Sequence, residues 1–174
     1  MEIINNENRE ICSKCGGRCC KSSGCELSPE DIKGGVTKEN IILLLKTGNY
    51  SIDWWEGNPF EDDREISESY FLRARCVDSN IVDPLMYPKP CVLLEEGKGC
   101  KLAFEERPKA GRALEPKEGE CISHYNKKQS SQDWYKYNDI LREIVKEIEG
   151  TCNTGAITFN RIINGLAKQE KLQK

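Results

Sequence analysis

Five of the ten cysteines fall between positions 12 and 25, as Cys12-x-x-Cys15-Gly16-Gly17-Arg18-Cys19-Cys20 followed by Cys25. The two-residue gap between Cys12 and Cys15 lets a tight turn aim two thiolates at one metal ion. Gly16 and Gly17 accept positive φ, so the backbone can wrap closely round whatever the sulfurs hold. A tetrahedral zinc site asks for four ligands, commonly from two Cys-x-x-Cys knuckles, and this chain has one such knuckle. Cys91 and Cys100, at the two ends of an expected hairpin, can supply a second pair. An iron–sulfur cluster also takes four thiolates, with looser spacing, although the adjacent Cys19–Cys20 pair departs from the bacterial ferredoxin run. Adjacent cysteines tend to point different ways, so the two can serve different sites. With a single histidine the ligand set is all-sulfur, which suits either metal. His124 stands three residues past Cys121, an acceptable ligand spacing, but a surface or hydrogen-bonded role is the simpler reading. Cys152 reads as a small buried residue or a spare thiol.

The elements that would position these sulfurs are short. Ser28-Pro29-Glu30-Asp31 carries the N-cap, first-turn proline and capping-box acid of a brief helix, broken by Gly34-Gly35. Thr37 starts a second helix through Ile41, Ile42, Leu44 and Leu45, stopped at Gly48. Residues 50–55 read as a strand, and 66–76, with Tyr70, Leu72 and Ala74 alternating, as another. Asn58-Pro59-Phe60 is faintly like the Asn-Pro-Pro-aromatic motif of some N-methyltransferases; without the second proline it reads as a plain turn. Prolines at 84, 88 and 90 punctuate an irregular link. Val92 to Leu94 suits a strand and Glu96-Gly97-Lys98-Gly99 a hairpin turn, which would bring Cys91 towards Cys100. A helical turn over 101–107 ends at Pro108, and Gly111, Pro116 and Gly119 keep the next stretch extended or looped. Trp134, Tyr137, Ile140, Leu141, Ile144, Val145 and Ile148 recur at helical spacing over 133–149, capped by Ser131 or Asp133 and ended by Gly150. A second amphipathic helix, 154–172, is expected to pair with the first. The expected fold is α+β: a small irregular cysteine-cluster region over 1–130, with short strands and helices, closed by a C-terminal helical hairpin over 131–174 packed on the same domain.

Composition narrows the function classes. A chain of 174 residues, 37 % hydrophobic and 32 % charged, supports one domain with a modest core, so a metal would share in holding it together. The net charge of −3 offers no electrostatic footprint for nucleic acid. The longest apolar block, 41–45, falls far short of a membrane span, and the first ten residues lack the basic start and apolar run of a secretory signal. The expected setting is cytoplasmic, where clustered cysteines mean metal or redox chemistry, with a disulfide framework as the alternative.

Three stretches taken together resemble one family. Cys-x-x-Cys-Gly-Gly-Arg-Cys-Cys at 12–20, Cys91 with Gly99-Cys100, and Phe104-Glu-Glu-Arg107-Pro108-x-x-x-Arg112-x-x-x-Pro116 follow, in order, the pattern of the YkgJ-type cysteine-cluster proteins. The likeness covers roughly 12–125. That family is described as zinc- or iron-chelating, and flagellin lysine-N-methylase belongs to the same superfamily. The resemblance implies metal binding, with a [4Fe–4S] cluster ahead of zinc. Two departures stand out. Three residues separate Cys15 from Cys19 where the family usually has two, and Gly111 stands where the family usually has a cysteine. Cys121, Cys25 or Cys76 is left to take that place. The candidate ligands are therefore Cys12, Cys15, Cys19, Cys20, Cys25, Cys91, Cys100 and Cys121. Arg107 and Arg112 can carry an anion; the simpler reading is that Arg107 pairs with Glu105, Glu106 or a backbone carbonyl. Two other functions stay open: an enzyme modifying protein or peptide side chains, and a dithiol redox protein using Cys12 and Cys15. Neither a nucleotide-binding loop nor a βαβ setting supports them. The sequence names no protein partner.

Overall fold

The structure is a computed structural model that describes residues 8–61, 68–119 and 121–152. The first cysteines lie on two short helices, α1 (Arg9–Cys15) and α2 (Arg18–Ser22). Gly16 and Gly17, at φ 67° and 73°, turn the chain between them. Ser28 begins a 3₁₀ turn, Pro29–Asp31, and its N–H donates to Asp31 Oδ2 at 2.8 Å, closing the expected capping box. Helix α3 (Lys38–Lys46) starts at Thr37, whose Oγ1 accepts from Asn40 N–H, and buries Ile41 and Leu45.

Strands β1 (Tyr50–Glu56) and β2 (Glu68–Ala74) pair antiparallel, with Ile52 opposite Leu72. Asn58-Pro59-Phe60 is the plain turn expected, its Asn58 Oδ1 accepting from Phe60 N–H at 3.0 Å. The alternation read for β2 is absent: residues 69–74 are all buried. Strand β2 is an inner strand. Residues 25–27 lie along its other edge, through Leu27 N–H to Leu72 O and Ala74 N–H to Cys25 O, both 2.8 Å. Residues 81–83 line the outer edge of β1 in the same way, through Ile52 N–H to Ile81 O at 2.7 Å and Asp83 N–H to Ile52 O at 3.0 Å. Within β2, Arg73 and Ser69 are buried because they are paired, Arg73 with Asp53 and Asp83 and Ser69 Oγ with Gly57 O.

Two small hairpins follow: β3 (Leu94–Glu95) with β4 (Gly99–Cys100), and, after the single-turn helix α4 (Lys109–Arg112), β5 (Leu114–Glu115) with β6 (Ile122–Ser123). The α4 turn interrupts a stretch expected to be extended or looped.

Helix α5 (Lys127–Trp134) begins earlier than the apolar periodicity predicts. Asn126 and Gln129 cap each other reciprocally, Gln129 N–H to Asn126 Oδ1 at 3.1 Å and Asn126 N–H to Gln129 Oε1 at 2.9 Å. Ser131, expected as a cap, is instead a buried mid-helix residue donating to Ser69 O at 3.2 Å. After a 3₁₀ turn, Tyr135–Tyr137, helix α6 (Asn138–Cys152) runs past Gly150. The expected helix 154–172, and with it the hairpin, lies outside the described residues. The fold is a small mixed α+β domain, and among the described residues no helix is long and apolar enough to cross a membrane.

The main core lies where α3, α5 and α6 cover β1–β2. Leu27, Ile41, Ile52, Phe71, Leu72, Trp134, Leu141 and Ile144 are each at most 2 % exposed. Polar side chains tie the helices to the sheet's backbone. Trp134 Nε1 and Ser130 Oγ both donate to Leu27 O, at 2.8 and 2.7 Å, while Asn138 brackets Tyr70 by accepting from its N–H and donating to its carbonyl, both at 3.2 Å. Three buried donors thus hold residue 27 and strand β2 under α5 and α6, and residue 27 fixes where Cys25 begins.

Candidate metal centre

Beyond the end of β2, the cysteines converge. A cavity of about 80 Å³ is lined by Cys12 and Cys15 from α1 and by Cys19 and Cys20 from α2. Cys25 from the edge of β2, Cys100 from β4 and Cys121 from the approach to β6 complete its sulfur lining. Phe104 and Arg107 of the arginine–proline stretch close one side. No disulfide joins Cys15, Cys19, Cys20, Cys25, Cys76, Cys91, Cys100 or Cys121.

Glycines permit this convergence. At Gly24 a Cβ would sit 1.8 Å from Ala74 O, so only a bare backbone lets the chain between Cys20 and Cys25 lie on the end of β2. At Gly17 a Cβ would meet Leu94 Cδ1 at 2.8 Å, so the α1–α2 corner presses directly on the β3–β4 hairpin. At Gly111 a Cβ would stand 3.5 Å from Cys25 Sγ. The sulfur of Cys25 therefore occupies the space beside position 111. Cys121 lines the same cavity, whereas Cys76 does not.

The arginine–proline stretch acts as a clamp. Arg112 Nη2 donates to Asp31 Oδ1 at 2.7 Å, and Asp31 Oδ2 accepts from the N–H of Lys109 at 2.9 Å as well as from Ser28. Arg112 Nη1 also donates to Arg107 O, and Arg107 Nε donates to Leu102 O at 3.2 Å. One carboxylate thus ties α4 to the turn that follows Cys25, and Arg107 bonds a backbone carbonyl as expected. His124 stands apart, half exposed, with Nε2 3.1 Å from Glu115 Oε2. It does not line the cavity.

Protonation follows from crowding. Cys19 and Cys20 share a side-chain hydrogen bond that lowers the Cys19 thiol to about 6 and raises that of Cys20. Burial, then Glu26 and the nearby sulfurs of Cys19, Cys91 and Cys100, push Cys25 well above the ordinary thiol range. Burial likewise raises Cys91 to about 11. The like charges that neighbouring thiolates would carry add to burial in keeping Cys20, Cys25 and Cys91 protonated.

Cys91 departs from its expected place. It packs with Cys20, Ala74 and Leu93 behind the cavity, its N–H donating to Cys20 O at 2.7 Å, and is paired across an antiparallel bridge with Cys76. The hairpin does bring Cys91 and Cys100 into one cluster, but only Cys100 faces the cavity. Among the described residues, no three His, Cys, Asp or Glu groups stand together in position to hold a metal ion. The seven sulfurs that line the cavity are soft donors of the type thiophilic metals take, and no three of them stand at ligating positions.

An open cleft of about 330 Å³ adjoins the cavity and shares Cys15, Cys19, Cys25 and Cys121 with it; Arg18, Glu26, Tyr125, Asn126 and three serines add polar groups to its lining. Beneath lies a group the sequence reading missed. Arg73, 1 % exposed, donates to Asp53 Oδ2 at 2.9 Å, Asp83 Oδ2 at 3.1 Å, Ala74 O at 3.1 Å and Cys76 Sγ at 3.3 Å. Lys127 Nζ adds a contact to Asp53 Oδ1 at 3.3 Å. The signal was an acid and a base inside two strands that pair, Asp53 opposite Phe71 and Arg73 opposite Ser51, which makes them diagonal neighbours. Comparison with family models, with curated proteins and with solved structures gave no match.

Proposed function

We propose that this chain is a metal-chelating cysteine-cluster protein of the YkgJ type, holding an iron–sulfur cluster or zinc through thiolates. The observation that carries the reading is the convergence of seven cysteines, drawn from α1, α2, the edge of β2, β4 and the approach to β6, on one small cavity. Cys12, Cys15, Cys19, Cys20, Cys25, Cys100 and Cys121 form the pool from which four ligands are taken. A cavity with several thiols and no histidine at its wall favours soft metals over hard cations. The order of preference, cluster before zinc, comes from the family resemblance. A cytoplasmic setting suits the reading because thiols there remain reduced and available to metal. When bound, the group supplies cross-linking of the short elements round it and, if it is a cluster, one-electron chemistry. The protein's own residues hold the sulfurs in place: Asp31 and Arg112 through their ion pair, and Gly17 and Gly24 through close backbone approach.

A second reading, an enzyme acting at the metal, has one observation in its favour: the adjoining cleft shares four cysteines with the cavity. Anaerobic purification followed by determination of iron, acid-labile sulfide and zinc, with an absorption spectrum, tests the proposal. Iron with matching sulfide, or stoichiometric zinc, is the expected result. Protein that takes up neither metal while its thiols are reduced contradicts it.

A further inference from the structure

We infer that Cys76 and Cys91 are a cross-strand dithiol, separate from the metal cavity, that closes to a disulfide when a hydroperoxide reaches the protein. The two residues face each other across an isolated antiparallel bridge. Val92 N–H donates to Arg75 O at 3.0 Å and Val77 N–H to Pro90 O at 2.8 Å, so the backbone bonds flank the pair rather than join it. In this non-hydrogen-bonded arrangement facing Cα atoms stand about 4.5 Å apart and both side chains leave the same face of the ladder. Disulfides need Cα separations of about 4.4–6.8 Å, so the bond can form without moving the backbone far. Neither residue is in a disulfide, and their exposures of 0 % and 5 % keep large reagents out. Neither lines the cavity.

Arg73 supplies the chemistry. Its Nη1 donates to Cys76 Sγ at 3.3 Å, which places the guanidinium beside that sulfur. The N–H that this guanidinium, held by Asp53 and Asp83, aims at Cys76 Sγ marks Cys76, as its thiolate, as the attacking sulfur. That thiolate attacks one oxygen of the hydroperoxide; the O–O bond breaks, the other oxygen leaves and is protonated, and Cys76 becomes a sulfenic acid. The Cys91 sulfur then attacks Cys76, the S–O bond breaks, and water leaves with the proton from Cys91. The two sulfurs lose two electrons in all and the hydroperoxide gains them. The new bond closes the proline-punctuated loop 77–90 and staples the chain entering the β3–β4 hairpin to the end of β2. That hairpin then stays attached when oxidation strips metal from the neighbouring sulfurs.

The test uses the full chain, reduced, in metal-loaded and chelator-treated forms. Each is exposed to hydrogen peroxide, remaining thiols are alkylated under denaturing conditions, and linkages are mapped by peptide mass spectrometry. A Cys76–Cys91 linked peptide in both forms is expected, together with unchanged metal content in Cys76→Ser. Recovery of both residues alkylated while other cysteines have become linked would overturn the inference. So would Cys91 bonded to Cys20 or Cys100 instead, or loss of metal in Cys76→Ser. Linkage mapping on the unsubstituted protein decides the matter even if Cys76→Ser does not fold, and the metal readout keeps this inference separate from the proposed function.

Discussion

The two sides of this molecule meet at Ala74, the last residue of β2, and are held by different forces. On one side Ile41, Ile52, Phe71, Leu72, Trp134, Leu141 and Ile144 are sealed under three helices. Each such side chain contributes roughly 1.5–3 kcal/mol on burial, and the buried hydrogen bonds to Leu27 and Tyr70 fix the register. On the other side the buried cluster is only Cys20, Ala74, Cys91 and Leu93, and its elements are two to seven residues long. Helices as short as α1, α2 and α4 are unstable alone in water. The difference teaches where the proposed metal would matter: the helix-covered side can fold by excluding water, whereas the cysteine side is built of short pieces that a cross-link would hold together.

The largest blow to the first side without the second is Trp134→Ala. It removes a fully buried indole and its hydrogen bond to Leu27, and is expected to cost about 3–5 kcal/mol in urea unfolding. Metal content per folded molecule should stay the same. The complementary change is Asp31→Ala, which frees Arg112 and two backbone N–H groups beside the cavity. A loss of about 1.5–3 kcal/mol is expected, with reduced metal content and unchanged amide protection in α6. Equal loss of metal in both variants would break the distinction between the two sides.

Gly24→Ala strikes the seam. Its methyl group would have to displace Ala74 O or lift residues 20–25 off β2, at about 1–3 kcal/mol, and both the metal content and the β1–β2 register should suffer. A neutral result would show that the seam is softer than the contact implies.

The smallest effect is one of pH. His124 and then Lys117 hydrogen-bond Glu115 and hold its carboxyl below the ordinary range. A depressed folded-state value means that the stabilisation is present above the unfolded carboxylate pKa of about 4.3 and is lost as pH falls through the folded value. Acidification should therefore loosen β5–β6 in the unsubstituted protein, seen as a carboxyl NMR midpoint below that of a free glutamate. Glu115→Gln should remove that step and leave β1–β2 unaffected.

Much of the first side was legible from local signals. Ser28, Pro29 and Asp31 announce their turn, Thr37 its helix, and the apolar stripe from Trp134 to Ile148 its buried face. What stayed hidden came from pairing between distant segments. No periodicity shows that residues 25–27 would flank the end of β2. Nor does it show that Asn126 and Gln129 would start α5 in a stretch without apolar residues. For the cysteines, residue type was enough to collect the pool; the arrangement was not. Cys91 looked equivalent to Cys100 by spacing, but the 75–77 and 90–92 segments pair and turn it towards Cys76. Position 111 was visible as a departure, and the fold supplied the neighbour, Cys25, that fills it. Arg73 went unread because its partners lie on three separate segments.

Amide hydrogen exchange, compared between protein as purified with its metal and the same protein after chelation under reducing conditions, tests the central claim most directly. The account predicts that chelation raises exchange in α1, α2 and the β3–β4 and β5–β6 hairpins, while β1, β2 and α6 keep their protection. Equal protection before and after metal removal, or loss of protection throughout the chain at once, would contradict it.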